Sequence, residues 1–135
     1  MTLEELDQRF PNGLDDADIT SILVDYEQCA ATFHLNLRSN SPDSSDRDVY
    51  SPAILRMTGL YYLSVEPPDL EHLDRLSRRK VTVDGSSEDP NTFPQFNEIK
   101  SRLTSNSFCC RFFVHDWNSF IHVGAADAEL RLVGC

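Results

Sequence analysis

Apolar and polar residues alternate most regularly at Ala31, Phe33, Leu35 and Leu37, which share one side of an extended segment while Thr32, His34, Asn36 and Arg38 share the other. The spacing predicts a half-buried antiparallel strand. Residues 107–133 read as three further strands around which the rest of the chain packs. Phe108, Cys110, Phe112 and Val114 form an apolar side opposite a mixed one of Cys109, Arg111, Phe113 and His115. His115, Asp116, Trp117, Asn118 and Ser119 supply turn formers, since Asp and Asn tolerate left-handed backbone and bond to nearby amides. Phe120, Ile121 and Val123 resume the strand, Gly124 allows a bend, and Ala128, Leu130 and Leu132 alternate with Asp127, Glu129 and Arg131. Residues 19–26 carry apolar side chains on both sides, as a moderately buried strand would. Residues 51–65 keep the period of two through Ala53, Leu55, Met57, Tyr61, Leu63 and Val65, with a bulge expected at Gly59. Val81, Thr82 and Val83 suit one short strand.

Three short helices complete the expectation. Thr2 and Glu5 have capping-box spacing before Leu6 and Phe10, predicting a helix over residues 3–9. Leu70, Leu73 and Leu76 predict one over 69–79, with acids first and Arg75, Arg78, Arg79 and Lys80 last, the polarity a helix dipole favours. Phe93, Phe96, Ile99 and Leu103 suggest another over 94–102, and 39–48 is a polar loop. The fold class is mainly β (α+β): an antiparallel curled sheet, sandwich or open barrel, of six to seven strands with two or three short helices. Its core is expected at Phe33, Leu35, Leu55, Leu63, Phe112, Val114, Ile121, Leu130 and Leu132.

At 135 residues the chain is expected to be a single domain, 1–135, able to bury a core without metals or disulfides. No apolar run reaches the roughly 18 residues of a membrane helix, and residues 1–5 lack a basic region and apolar core of a secretion signal, which points to the cytoplasm. The net charge of −10 changes the picture most: residues 1–50 hold 11 acids against 3 bases, residues 51–135 hold 11 against 9. Such a field repels nucleic acid and steers in a protein with a basic surface. It also keeps a domain soluble whatever its partner.

Candidate chemistry adds less. Cys29, Cys109, Cys110 and Cys135 form no Cys-x-x-Cys pair, so neither a zinc knuckle nor a disulfide framework is expected; Cys29 and Cys110 read as small buried hydrophobes, Cys109 and Cys135 as partly exposed. Asp15, Asp16 and Asp18 cluster before the first strand, but a calcium loop needs more spaced oxygens and a bidentate Glu. Cys109, His115, Asp116 and His122 invite a Cys-His-Asp reading. Cys109 and His115 would stand about 20 Å apart on one strand, although His115 and His122 could meet across the hairpin. His34 reads as an exposed strand residue and His72 as a solvent-facing helix residue. Trp117, Tyr61 and Tyr62, of the residue types that anchor interfaces, join Asp15, Asp16 and Asp18 as the candidate interaction surface.

Leu14-Asp15-Asp16-Ala17-Asp18-Ile19 with Val24-Asp25-Tyr26, Met57-Thr58-Gly59-Leu60-Tyr61-Tyr62 with Val65-Glu66-Pro67-Pro68, and Asp116-Trp117-Asn118-Ser119-Phe120-Ile121-His122-Val123 resemble a group of small uncharacterised bacterial proteins. Some relatives of that group are classed as immunity proteins of polymorphic toxin systems. Relatives open on Phe-His-Asp-Ala, whereas Leu14-Asp15-Asp16-Ala17 lacks the His. The resemblance implies a non-enzymatic module, with no catalytic residue to carry over, that binds a protein such as a basic toxin. The combined expectation is an acidic protein-interaction module without cofactor, metal or nucleic acid, with homodimerisation left open. The alternatives are a carrier whose curled sheet encloses an apolar pocket near Phe113 and Tyr62, and, last, a metal- or Cys/His-dependent enzyme.

Overall fold

The computed structural model describes residues 3–8, 13–38, 49–67, 81–88 and 107–133. Within them the chain is mainly β, with eight antiparallel strands in one unclosed sheet: β1 (Asp18–Asp25), β2 (Ala30–Arg38), β3 (Tyr50–Thr58), β4 (Tyr62–Val65), β5 (Val81–Glu88), β6 (Phe108–Val114), β7 (Ser119–Ala125) and β8 (Asp127–Leu132), ordered β4-β7-β6-β5-β1-β2-β3-β8. A short helix, α1 (Leu3–Gln8), inserts Leu6 into the core. The helices expected over 69–79 and 94–102, the loop 39–48, His72 and Cys135 lie outside the described residues.

The strand count differs from expectation because the long strand over 51–65 is two strands that meet at a corner. Gly59 adopts the left-handed conformation (φ +61°), and a Cβ there would stand 2.6 Å from Ala126 Cβ. Ala126 is itself the corner between β7 and β8. Its amide donates to the carbonyls of Thr58 (3.0 Å) and Gly59 (3.1 Å), and the Tyr61 amide donates to Gly124 O (3.0 Å). Two bent strands are thus stitched at their bends, so that β3 pairs with β8 and β4 with β7. On the other side β5 changes neighbours. Val81 and Thr82 pair with β1, then Gly85 (φ +97°) lies in an irregularity between Val83 and Ser86, beyond which β5 continues along β6.

These bends bring distant parts of the sheet face to face. Phe33 and Leu35 of β2, Leu55 of β3, Val83 of β5 and Phe112 of β6 line a common void of about 10 Å³, no larger than one water. An apolar carrier would need far more room there. Phe113 is not among the lining residues; its ring lies 5.3 Å from that of Phe120.

Phe33, Leu35, Leu55, Phe112, Val114 and Ile121 are buried as the pattern predicts, while Leu63, Leu130 and Leu132 pack at the core's margin. Strand β2 follows the predicted alternation along its length. Strand β1 does not: after Ile19 only Ile22 is even half-buried, since beyond Ile19 it borders β2 alone among the described residues. Val65, expected inside, is exposed at the end of β4. The cysteines also depart from expectation. Cys29 is exposed, because it occupies the left-handed position (φ 49°) that closes the β1–β2 turn. Cys109 is buried beside Cys110, since Tyr61 covers the sheet next to it.

Candidate interaction surface

The acidic turn before β1 is tied into the sheet. Asp16 takes a left-handed conformation (φ 64°), which Asp tolerates better than most residues. Its amide donates to Val83 O, and the Val83 amide returns a bond to Ala17 O, both at 2.8 Å. Arg38 Nη1 lies 3.0 Å from Asp16 Oδ2, and Thr82 Oγ1 donates to Asp18 Oδ1 at 2.6 Å. Two of the three clustered carboxylates therefore join β1 to β2 and β5, and Asp15 is the exposed one. Among the described residues no group of three or more His, Cys, Asp and Glu side chains converges to hold a metal ion.

The other end of β1 leads into a turn in which Asp25 Oδ1 accepts from the Gln28 amide (3.1 Å) and Cys29 O accepts from the Leu60 amide (2.8 Å). Asp25 and Glu27 are exposed around it. So are Leu23 (60%), Val24 (38%) and Tyr26 (88%), an apolar group that the sequence pattern placed in a moderately buried strand. Single exposed apolar residues are ordinary; several consecutive ones mark a contact surface. Beyond Ile19, β1 borders β2 alone among the described residues, an arrangement that no local pattern reveals.

The predicted aromatic anchors are divided between two places. Tyr61 lays its ring where a Cβ on Gly124 would be, 2.5 Å from the nearest ring carbon, and its hydroxyl donates to Phe108 O at 2.7 Å. Tyr62 pairs with Gly124. Trp117 ends a 3-10 turn, His115–Trp117, just before β7 begins, and packs half-buried against the core. Ser119 and Gly124 are separated along β7 by about 17 Å at the usual strand rise. Trp117 shares its end of the sheet with the acidic turn: Val114 lies beside Val83, whose carbonyl bonds Asp16. Tyr61 and Tyr62 lie at the opposite end.

Burial pushes the Tyr61 hydroxyl up to about 12 from its ordinary value near 10. The folded state then keeps a proton that the unfolded chain surrenders from about pH 10, so stability should fall between about pH 10 and 12. Tyr61→Phe is expected to remove that alkaline slope and to cost about 1 kcal/mol at neutral pH for the lost hydrogen bond. Urea midpoints from pH 7 to pH 11.5 measure both; an unaltered slope in the variant would assign it to another group.

Among the described residues, His34, His115 and His122 do not converge on one another or on a cysteine. The 3-10 turn places His115 Nδ1 3.5 Å from Asp84 Oδ2, both exposed. His122 stands opposite Arg111 rather than His115, so the two histidines do not meet across the hairpin. Its Nε2 lies 2.6 Å from Glu66 Oε2, and Glu66 Oε1 accepts from the Phe120 amide at 3.1 Å. The hydrogen bond from His122 holds the Glu66 carboxyl below its ordinary range. Above this pair the Arg111 guanidinium covers the Phe120 ring at 4.6 Å. Cys109 pairs with Gly124, near the far end of β6 from His115. His34 is half-buried, with Nδ1 3.1 Å from Ser21 Oγ. The Glu66–His122 pair was not anticipated; only the register of β4 against β7 brings it together. Comparison of the chain with protein-family models, curated proteins and solved structures finds no match.

Proposed function

We propose that this protein is a non-enzymatic interaction module that binds a protein with a basic surface. One observation carries the reading. No lysine or arginine occurs between Arg9 and Arg38, and in that interval Asp25 and Glu27 are exposed beside the exposed apolar residues Leu23, Val24 and Tyr26, with Asp15 exposed at the other end of β1. The acids draw a cationic partner in, and the apolar side chains supply area that gains by leaving water. Neutralisation of a basic toxin, which the resemblance to immunity-type proteins implies, is the form of this activity we favour.

The test has two stages. Capture from the native host at low salt, with mass spectrometry, should recover a basic protein. Its association rate should then fall steeply between about 50 and 500 mM salt while dissociation changes less, because steering acts on the encounter. Asp25→Asn combined with Glu27→Gln should flatten that dependence. A rate indifferent to salt, or capture of acidic and neutral proteins alone, would remove the basis of the proposal.

A further inference from the structure

The β1 strand has two edges, and they differ. One is bonded to β2 from Asp18 to Asp25. On the other, β5 contributes only Thr82 opposite Asp18 and Val81 opposite Ile19; beyond them no described residue pairs with positions 20–25. Those six positions, Thr-Ser-Ile-Leu-Val-Asp, contain no lysine, no proline and no glycine. Natural edge strands are usually guarded by such residues or by a bulge; the one irregularity in β1 falls at Thr20, the first of the six, and leaves 21–25 in regular register with β2. The stretch is about 20 Å long and directs about half of its amides and carbonyls away from β2.

We infer that this edge receives an extended, lysine- or arginine-bearing segment of the partner as an added strand. The inference rests on the interaction reading above and supplies its mode of contact. Backbone bonds along 20–25 hold the segment, Leu23 on one side of the strand and Val24 on the other touch its alternate side chains, and Asp25 and Glu27 meet its cationic ones. Charge selects this occupant over a second copy of the chain. Two copies joined here would bring together two edges that each carry Asp25 and Glu27 in a molecule of net charge −10.

The test uses the whole protein and three synthetic octapeptides that alternate lysine and valine. One is unmodified, and in the other two every second backbone nitrogen is methylated, one in each register; charge and side chains are kept while the donors of one strand edge are removed. At about 50 mM salt the unmodified peptide is expected to bind at least tenfold more tightly than both methylated forms, and to slow exchange of the edge-facing amides of 20–25 at least tenfold. Equal binding of all three peptides, weakened in common by Asp25→Asn with Glu27→Gln, overturns strand addition and leaves the acidic module standing. Binding of none of them at millimolar peptide overturns both. Slow exchange at 20–25 in the protein alone shows an edge already covered, and it too overturns the inference. So does a dimer, seen by sedimentation, that the peptide fails to dissociate.

Discussion

Phe112→Ala is expected to destabilise the protein by about 3–5 kcal/mol, a large part of the 5–15 kcal/mol that holds a domain of this size. Phe112 is 2% exposed and lies on β6 between Ser86 of β5 and Ile121 of β7. It reaches the void shared with Phe33, Leu35, Leu55 and Val83. Its removal would turn a space of about 10 Å³ into one the size of a side chain. Most of the walls are held from following it inward, because Ile19, Phe33, Leu35, Leu55 and Val83 belong to strands bonded to their neighbours, and the cost of a cavity grows with the volume left unfilled. Urea denaturation of the variant measures the effect. Phe112→Leu, which keeps most of the volume, should lose much less, and equal losses would mean that the site repacks freely.

The second large effect is expected at the corner. Gly59→Ala forces an L side chain into φ +61°, which costs roughly 1–2 kcal/mol, and drives its Cβ to 2.6 Å from Ala126 Cβ, an overlap costing a further 1–3 kcal/mol or so. Neither atom is the end of a flexible side chain, so relief needs movement of a backbone that bonds Thr58 and Gly59 to Ala126. Ala126→Gly restores the space but not the conformational freedom. The double variant should therefore recover the overlap and retain the backbone strain, a coupling of about 1 kcal/mol or more in a double-mutant cycle. Strictly additive losses would show that the two corners do not press on one another.

The parts of the fold legible in the sequence are those whose burial is decided within one strand. Strand β2 has one face against the core and one against solvent, and its residues alternate accordingly. The apolar side of β6 was readable for the same reason. What could not be read depends on which strand lies beside which. The period of residues 51–65 runs unbroken across Gly59, so nothing but the glycine hints that the strand ends and begins again. Cys109 looked half-exposed because Arg111 and Phe113 share its side of β6; its burial is due to Tyr61, from a segment far off in sequence. Of the candidate surface, the charge was legible and the geometry was not. Asp16 and Asp18 are occupied by Arg38 and Thr82, Tyr61 by Phe108, and the exposed group of Leu23, Val24 and Tyr26 emerges only when β5 leaves β1 after two residues.

The pairing of β3 with β8 has a consequence for how the chain is made. The ribosome delivers β1, β2 and β3 in succession, and each can bond to the one before it as it emerges. The outer edge of β3 cannot be completed in that way: Ala53, Leu55 and Met57 find their partners at Leu132, Leu130 and Ala128, in the last strand of the sheet to be synthesised. Until residues 127–132 are made, the outer edge of β3 therefore lacks the native partner that completes it. That interval is when a neighbouring chain could take the place of β8, and when a chaperone that shields strand edges would matter most.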